Sequence, residues 1–250
     1  MIFSSTIGHA QYHKIQAYDI DAHKTATPIA LLKLMHETAM QNVIQLKISV
    51  WDLAPLHLAW VLMRQSIHFE RLPNFGETIQ IITYPAGFEK MLTYRDYKVL
   101  DQNGNTIIYG ASTWLLMDTQ QRKMTRIPDF ILDMSQAIPS KEECLPRSQF
   151  QSNYTYHPDK MRTYKVGWFD LDFNGHANNV PYIKWMIEPI GEQLKYLQIR
   201  SLNVQYKQEC LLEEDVYAYV ESKPDYQFSH LLCSKAEKIL AQAETKWRSI

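Results

Sequence analysis

Between Asp170 and Asn179 the chain reads Asp-Leu-Asp-Phe-Asn-Gly-His-Ala-Asn-Asn, which sets Asp172, Asn174 and His176 at alternate positions just ahead of a helix-like run. A histidine titrates near neutrality, so it can relay a proton between water and a substrate. An opening helix offers N–H groups and the positive end of its dipole, which suit the oxygen of a polarised carbonyl. The same residue types also build an Asx-rich capping loop with no further duty. A second feature, Glu209-Cys210, closes the alternating run Leu202, Val204, Tyr206, which predicts a strand over Ser201–Cys210. A thiolate is a nucleophile, and a carboxylate can act as a base or orient one. On its own, Glu-Cys reads as a surface acid beside a small buried thiol. The two features make one site only if the fold brings them together.

The predicted helices and strands around these residues fall into two similar series. In the first, Tyr12–Ile20 alternates like a strand, and Thr27-Pro28 reads as an N-cap with proline at the first helical position. Ile29–Leu46 has helical spacing. Strands are predicted over Trp60–Glu70, Thr78–Tyr84, Leu92–Leu100 and Thr106–Met117, with a hairpin signal at Asp101-Gln102-Asn103-Gly104-Asn105. From Arg126 to Lys160 prolines, serines and charges replace apolar periodicity, which reads as a linker with room for a short helix. The second series has a strand over Thr163–Phe169, a polar turn over Asp170–Ala177 and a helix from Asn178 to Ile190. The strand ending at Cys210 and strands over Val216–Glu221, Gln227–Cys233 and Ile239–Ile250 follow. Helix followed by antiparallel strands is an α+β signature.

The series align as a repeat. At one offset Ile67 meets Val204, Phe69 meets Tyr206, Glu77 meets Glu214 and Ile79 meets Val216. At a second offset Asp19 meets Asp170, Asp21 meets Asp172 and Met35 meets Met186, which implies an insertion after the first helix. Against Asn174 and His176 the first copy has His23 and Thr25. Against Glu209-Cys210 it has Leu72-Pro73. The reactive groups belong to the second copy.

Bulk composition narrows the classes. A chain of 250 residues makes one large domain or two of roughly 125. With 46% apolar and 21% charged residues it can form a sizeable core. A net charge of -1 gives no basic field for nucleic acid. No stretch reaches the roughly 18 apolar residues of a membrane span, and the first residues lack the pattern of a leader peptide. Cys144, Cys210 and Cys233 are widely spaced with no CxxC pair, so neither a disulfide framework nor a metal site is expected, and a cytoplasmic protein is.

The segment Trp168–Ile183 resembles the D-x-N-x-H-x-N-N-x-x-Y motif of the acyl-acyl-carrier-protein (acyl-ACP) thioesterases of plant plastids and bacteria. Val204–Cys210 resembles that family's Y-x-x-E-C motif. Trp60-Val61-Leu62-Met63-Arg64 and Ile127-Pro128 are similar to further family segments in the first half. The resemblance implies a double hot-dog fold: an N-terminal hot-dog over 1–130 for the acyl chain, a linker over 131–160 and a catalytic hot-dog over 161–250. It implies hydrolysis of fatty acyl-ACP to free fatty acid and holo-ACP without a cofactor. Asp172, Asn174, His176, Glu209 and Cys210 match its functional positions. Two schemes stay open. In one, Cys210 attacks, His176 takes its proton and Asn174 orients His176. In the other, Asp172 is nucleophile or orienter, and Glu209 with His176 activates water. The acyl pocket is expected around Met35, Thr38 and Met40 and around Trp60, Leu62, Trp114 and Leu116. Acidic carrier protein is expected on Arg122, Lys123, Arg126 and Lys184. A hot-dog hydrolase of acyl-CoA and a non-catalytic acyl-binding protein are the alternatives. Neither nucleic acid nor membrane is an expected partner, and the choice between monomer and homodimer is left open.

Overall fold

The computed structural model describes residues 7–140, 143–147 and 158–250. The chain forms two compact units, 1–147 and 148–250. In the first unit β1 (His9–Lys14) is followed by the long helix α1 (Pro28–Gln45) and the short helix α2 (Val50–Leu53). Then come β2 (Leu58–Phe69), β3 (Thr78–Glu89), β4 (Leu92–Leu100), β5 (Thr106–Asp118), β6 (Lys123–Met124) and α3 (Asp129–Leu132). The second unit has β7 (Lys160–Lys165), α4 (Asn179–Ile187), β8 (Leu197–Tyr206), β9 (Asp215–Lys223), β10 (Gln227–Ser234) and β11 (Ile239–Ser249). The first sheet runs β1-β3-β4-β5-β2 and the second β7-β9-β10-β11-β8, all antiparallel. The two orders are the same, element for element. Each unit is a hot-dog: a helix laid on one face of an antiparallel sheet.

Helix α1 starts where the sequence says it should. Thr27 caps it by accepting from Ala30 N–H at 3.0 Å, and Pro28 fills the first turn. Leu31, Leu32, Met35, Thr38, Ala39 and Asn42 form its buried face. Met35 reaches the backbone of β5 at Gly110, where a Cβ would stand 3.3 Å from the methionine's terminal carbon and 3.2 Å from Ser66 O. Asn42 donates to Ile7 O at 2.9 Å and accepts from Arg95 at 2.8 Å, so its buried carboxamide is paired on both sides. Within the segment expected to be a linker, α3 buries Ile131 against Ile48, Leu53, Leu116 and Ile127. Leu145 N–H and Arg147 both bond the buried carboxylate of Asp96 on β4. Residues 141–142 and 148–157 of that segment lie outside the described residues.

Three predicted strands stop at least four residues short, each for a local reason. The strand expected over Tyr12–Ile20 stops at Lys14. Gln16 N–H turns back to Asp19 Oδ2 at 2.7 Å, which makes a turn of the next residues. The strand expected over Thr163–Phe169 stops at Lys165, because Gly167 N–H bonds Asp170 Oδ2 at 2.9 Å in a matching turn. The strand expected to reach Cys210 ends at Tyr206. There Lys207 and Gln208 both send their N–H groups to Leu240 O, at 2.8 and 3.1 Å. Among the described residues no helix is long and apolar enough to cross a membrane.

Candidate active site

Asp172 organises its loop. Its Oδ1 accepts from the N–H groups of Asn174 (2.8 Å) and His176 (3.2 Å), and its own N–H donates to His176 O at 2.7 Å. Gly175, at φ 77°, supplies the left-handed step that closes this ring. Asn178 N–H then donates to Asp170 O, and the Asn178 side chain caps α4 by accepting from Val180 N–H at 3.3 Å. A carboxylate whose oxygen takes two backbone donors is a scaffold for the turn.

The loop meets the segment after β8. Ala177 N–H donates to Cys210 O at 2.8 Å, and His176 pairs with Leu211 as an isolated bridge. This sets His176 Nε2 3.4 Å from Glu209 Oε2, with both side chains partly open to solvent. Cys210 lies beside Glu209 but is 1% exposed. Burial pushes its thiol up, the carboxylates of Glu214 and Glu209 add to this, and the Tyr182 hydroxyl works against it. Tyr182 donates to Gln208 O at 3.0 Å, and Tyr206 donates to Asn179 O at 3.2 Å. Neither hydroxyl stood out in the sequence, although both tyrosines lie inside the two motifs.

The histidine and the carboxylate of the two predicted features thus come together, and the thiol next to them turns inward. One expectation changes. The start of α4 does not present a row of unused donors: the N–H groups of residues 174 to 178 and of Val180 all have acceptors, Cys210 O for Ala177 and atoms of the loop for the rest. The exposed Asn174 side chain, two residues from His176, is a polar donor close to the pair along the chain.

The first unit carries the same loop in outline. Thr27 N–H bonds Asp19 O, Asp21 N–H bonds Thr25 O, and His23 N–H bonds Asp21 Oδ1 at 2.9 Å. Ala26 N–H bonds Pro73 O, and Thr25 bridges Asn74. Every one of these has its counterpart in the second unit, at the positions the sequence repeat assigns. What the first loop lacks is the His176–Glu209 pair, Thr25 and Leu72 standing in its place.

The residues expected around an acyl chain lie in the first unit. Trp60 pairs with Leu116, and Leu62 with Trp114, across β2 and β5, so the four share one face. Leu62 and Leu116 are buried. The indole N–H groups are satisfied at Ile48 O (2.9 Å, Trp60) and Ser112 Oγ (2.8 Å, Trp114). Met35 and Thr38 sit on the buried face of α1, Thr38 bonding Leu34 O and His13, and Met40 is half-buried. Arg122, Lys123 and Arg126 are exposed around the β5–β6 turn, and Lys184 lies 3.7 Å from Glu188 on α4.

Residues 7–134 match the family model described as the acyl-ACP thioesterase N-terminal domain, and residues 155–249 that of the C-terminal domain. The chain is 28% identical over 260 residues to the chloroplastic acyl-(acyl-carrier-protein) hydrolase FATB2 of Cuphea viscosissima, an alignment covering 95% of this chain and 62% of that protein. It is also 28% identical to a chloroplastic palmitoyl-acyl carrier protein thioesterase of Cuphea hookeriana, over 95% of this chain and 61% of that one. The chain therefore spans about three-fifths of the length of these plant relatives. Among solved structures, the 12:0-ACP thioesterase of Umbellularia californica superposes with a TM-score of 0.85 at 20% identity, over 98% of each chain. An acyl-ACP thioesterase of Bacteroides thetaiotaomicron gives 0.86 at 19% identity, over 97% of this chain and 98% of that one. These superpositions establish the double hot-dog fold. With both family domains matched in order over most of its length, the chain belongs to the acyl-ACP thioesterase family.

Proposed function

We propose that this chain hydrolyses the thioester of fatty acyl-ACP, releasing the free fatty acid and holo-ACP. The observation that carries the proposal is the 3.4 Å approach of His176 Nε2 to Glu209 Oε2 at the mouth of the Asp172 loop. In this reading Glu209 and His176 together take a proton from water, and the hydroxide attacks the thioester carbonyl carbon. The Asn174 carboxamide donates to the carbonyl oxygen as it gains charge. The C–S bond then breaks, and His176 returns the proton to the departing thiolate of the carrier's arm. Asp172 keeps the loop closed. Cys210, buried and held as a thiol, is not the nucleophile.

The second unit supplies the chemistry and the first receives the acyl chain, around Met35, Thr38, Trp60, Leu62 and Trp114. Arg122, Lys123, Arg126 and Lys184 supply positive charge for the acidic carrier protein. Cys144, Cys210 and Cys233, which form no disulfide among the described residues, suit a reducing cytoplasm.

Thiol release from acyl-ACP and from acyl-CoA of the same chain length, measured side by side, tests the proposal. Faster release from acyl-ACP is expected. Release from acyl-CoA alone would make the chain a CoA thioesterase, and release from neither would leave an acyl-binding protein.

A further inference from the structure

The first unit is an internal control for what the fold requires. Its loop closes with the same backbone bonds as the second, yet it lacks the His176–Glu209 pair. The position equivalent to Tyr182 holds Leu31, and that equivalent to Tyr206 holds Phe69, both fully buried. The hot-dog therefore accepts a plain hydrocarbon side chain at both places. Only the unit with the pair has hydroxyls there, and both bond to backbone next to the pair. Tyr182 donates to Gln208 O, one residue before Glu209, and touches the Cys210 thiol, one residue after it. Tyr206 donates to Asn179 O, three residues after His176. Glu209 needs such support. Strand β8 has ended at Tyr206, so residues 207 to 210 have no continuous ladder and hang on individual bonds to Leu240, Ala177 and Tyr182.

We propose that Tyr182 and Tyr206 are positioning residues of the site, their hydroxyls fixing the segment that carries Glu209 against the opening of α4 so that the carboxylate stays on His176. The proposal rests on the reading of His176 and Glu209 as the active pair. A ring without its hydroxyl fills the same space, so Tyr182→Phe and Tyr206→Phe leave the core packed, as Leu31 and Phe69 do in the first unit.

The test uses the full chain. Each Phe variant is expected to lower kcat on acyl-ACP about tenfold with KM unchanged, the pattern of a lost transition-state contact. On a Glu209→Gln background, Tyr182→Phe is expected to change kcat little further, because its effect runs through that carboxylate. Full kcat in both Phe variants, or a loss that adds undiminished on the Glu209→Gln background, would overturn the proposal. A readout independent of turnover is the rate of Cys210 alkylation by iodoacetamide, followed by peptide mass spectrometry against Cys233. Tyr182→Phe should raise it several-fold by loosening residues 208 to 210, and an unchanged rate counts against the positioning role. If the parent chain hydrolyses no acyl thioester, the functional reading fails on that result alone, and the alkylation rate still judges the tether.

Discussion

Glu209 and Cys210 are neighbours in the chain with opposite surroundings. The carboxylate is partly solvated and faces His176, while the thiol is enclosed beside Tyr182. Adjacent residues of an extended segment point to opposite sides, so only one of them can face the loop. Cys210→Ala is accordingly expected to keep kcat within about threefold of the parent, since a buried, protonated thiol is a poor nucleophile. Steady-state thiol release checks this, and a collapse of kcat in a folded variant would reinstate the cysteine. Asp172 is a case of geometry over reactivity. Asp21 makes the same backbone bond in a loop without the pair. Asp172→Asn, which keeps an acceptor, should therefore retain far more activity than Asp172→Ala, and equal losses would point to the carboxylate itself. His230 bears on stability. Its Nδ1 donates to Met186 O at 2.7 Å, and its Nε2 lies 2.8 Å from Thr245 Oγ1. Burial lowers its pKa to about 4. The unfolded chain then takes the proton first as pH falls, so this contribution is intact above the ordinary histidine range and is lost progressively between about 6.5 and 4. The scale of the loss is about 3 kcal/mol. His230→Gln should flatten the fall of Tm over that interval, and an unaltered slope would remove His230 from the explanation.

At the scale of elements, the site is a meeting of a helix start with a strand end. Asn178 caps α4 and directly follows the loop, so Asn178→Ala is expected to cost about 1 kcal/mol in thermal or denaturant unfolding. It should lower kcat more than it raises KM, because it frees the loop more than the acyl pocket. A change in KM alone would separate the cap from the site. Much of this scale was legible in the sequence. Thr27-Pro28 marked the first helix, Asn178 the second, and alternation located β2, β4, β5 and β8 to within a few residues. Strand ends were not legible, because alternation continues through Ile20 and Cys210 after the ladder has stopped. What stops it is a turn at Asp19 in one case and capture of two N–H groups by Leu240 in the other. The site residues stood out as candidates by type and spacing, and the family resemblance assigned them. Which of Glu209 and Cys210 faces His176 depended on the phase of residues 207 to 210 after the strand ends, and that phase is set by a residue thirty positions further on. The committed N–H groups of the loop were hidden for the same reason: the acceptors are Asp172 itself and a distant carbonyl.

For the molecule as a whole, duplication repeats the frame and varies the side chains. The same strand order and the same loop bonds recur, yet a histidine–glutamate pair sits in one loop while threonine and leucine sit in the other. The two cores repeat a further detail, with Trp114 donating to Ser112 Oγ and Trp247 to Thr245 Oγ1, each at 2.8 Å. On the proposed division, with the His176–Glu209 pair in the second unit, changes in the first are expected to alter which acids are released more than how fast the bond breaks. Trp114→Ala is expected to shift the chain-length profile of released fatty acids, read by gas chromatography, towards longer chains; an unchanged profile would move the acyl chain away from β2 and β5. The central claim is narrower, that His176 and Glu209 act together on the thioester. The most direct measurement is single-turnover hydrolysis of acyl-ACP by the parent, His176→Ala, Glu209→Gln and the double variant, with folding checked by circular dichroism. A fall of at least about a hundredfold is expected in each single variant, with little further loss in the double. Parent-like turnover by Glu209→Gln, or losses that simply multiply, would contradict it.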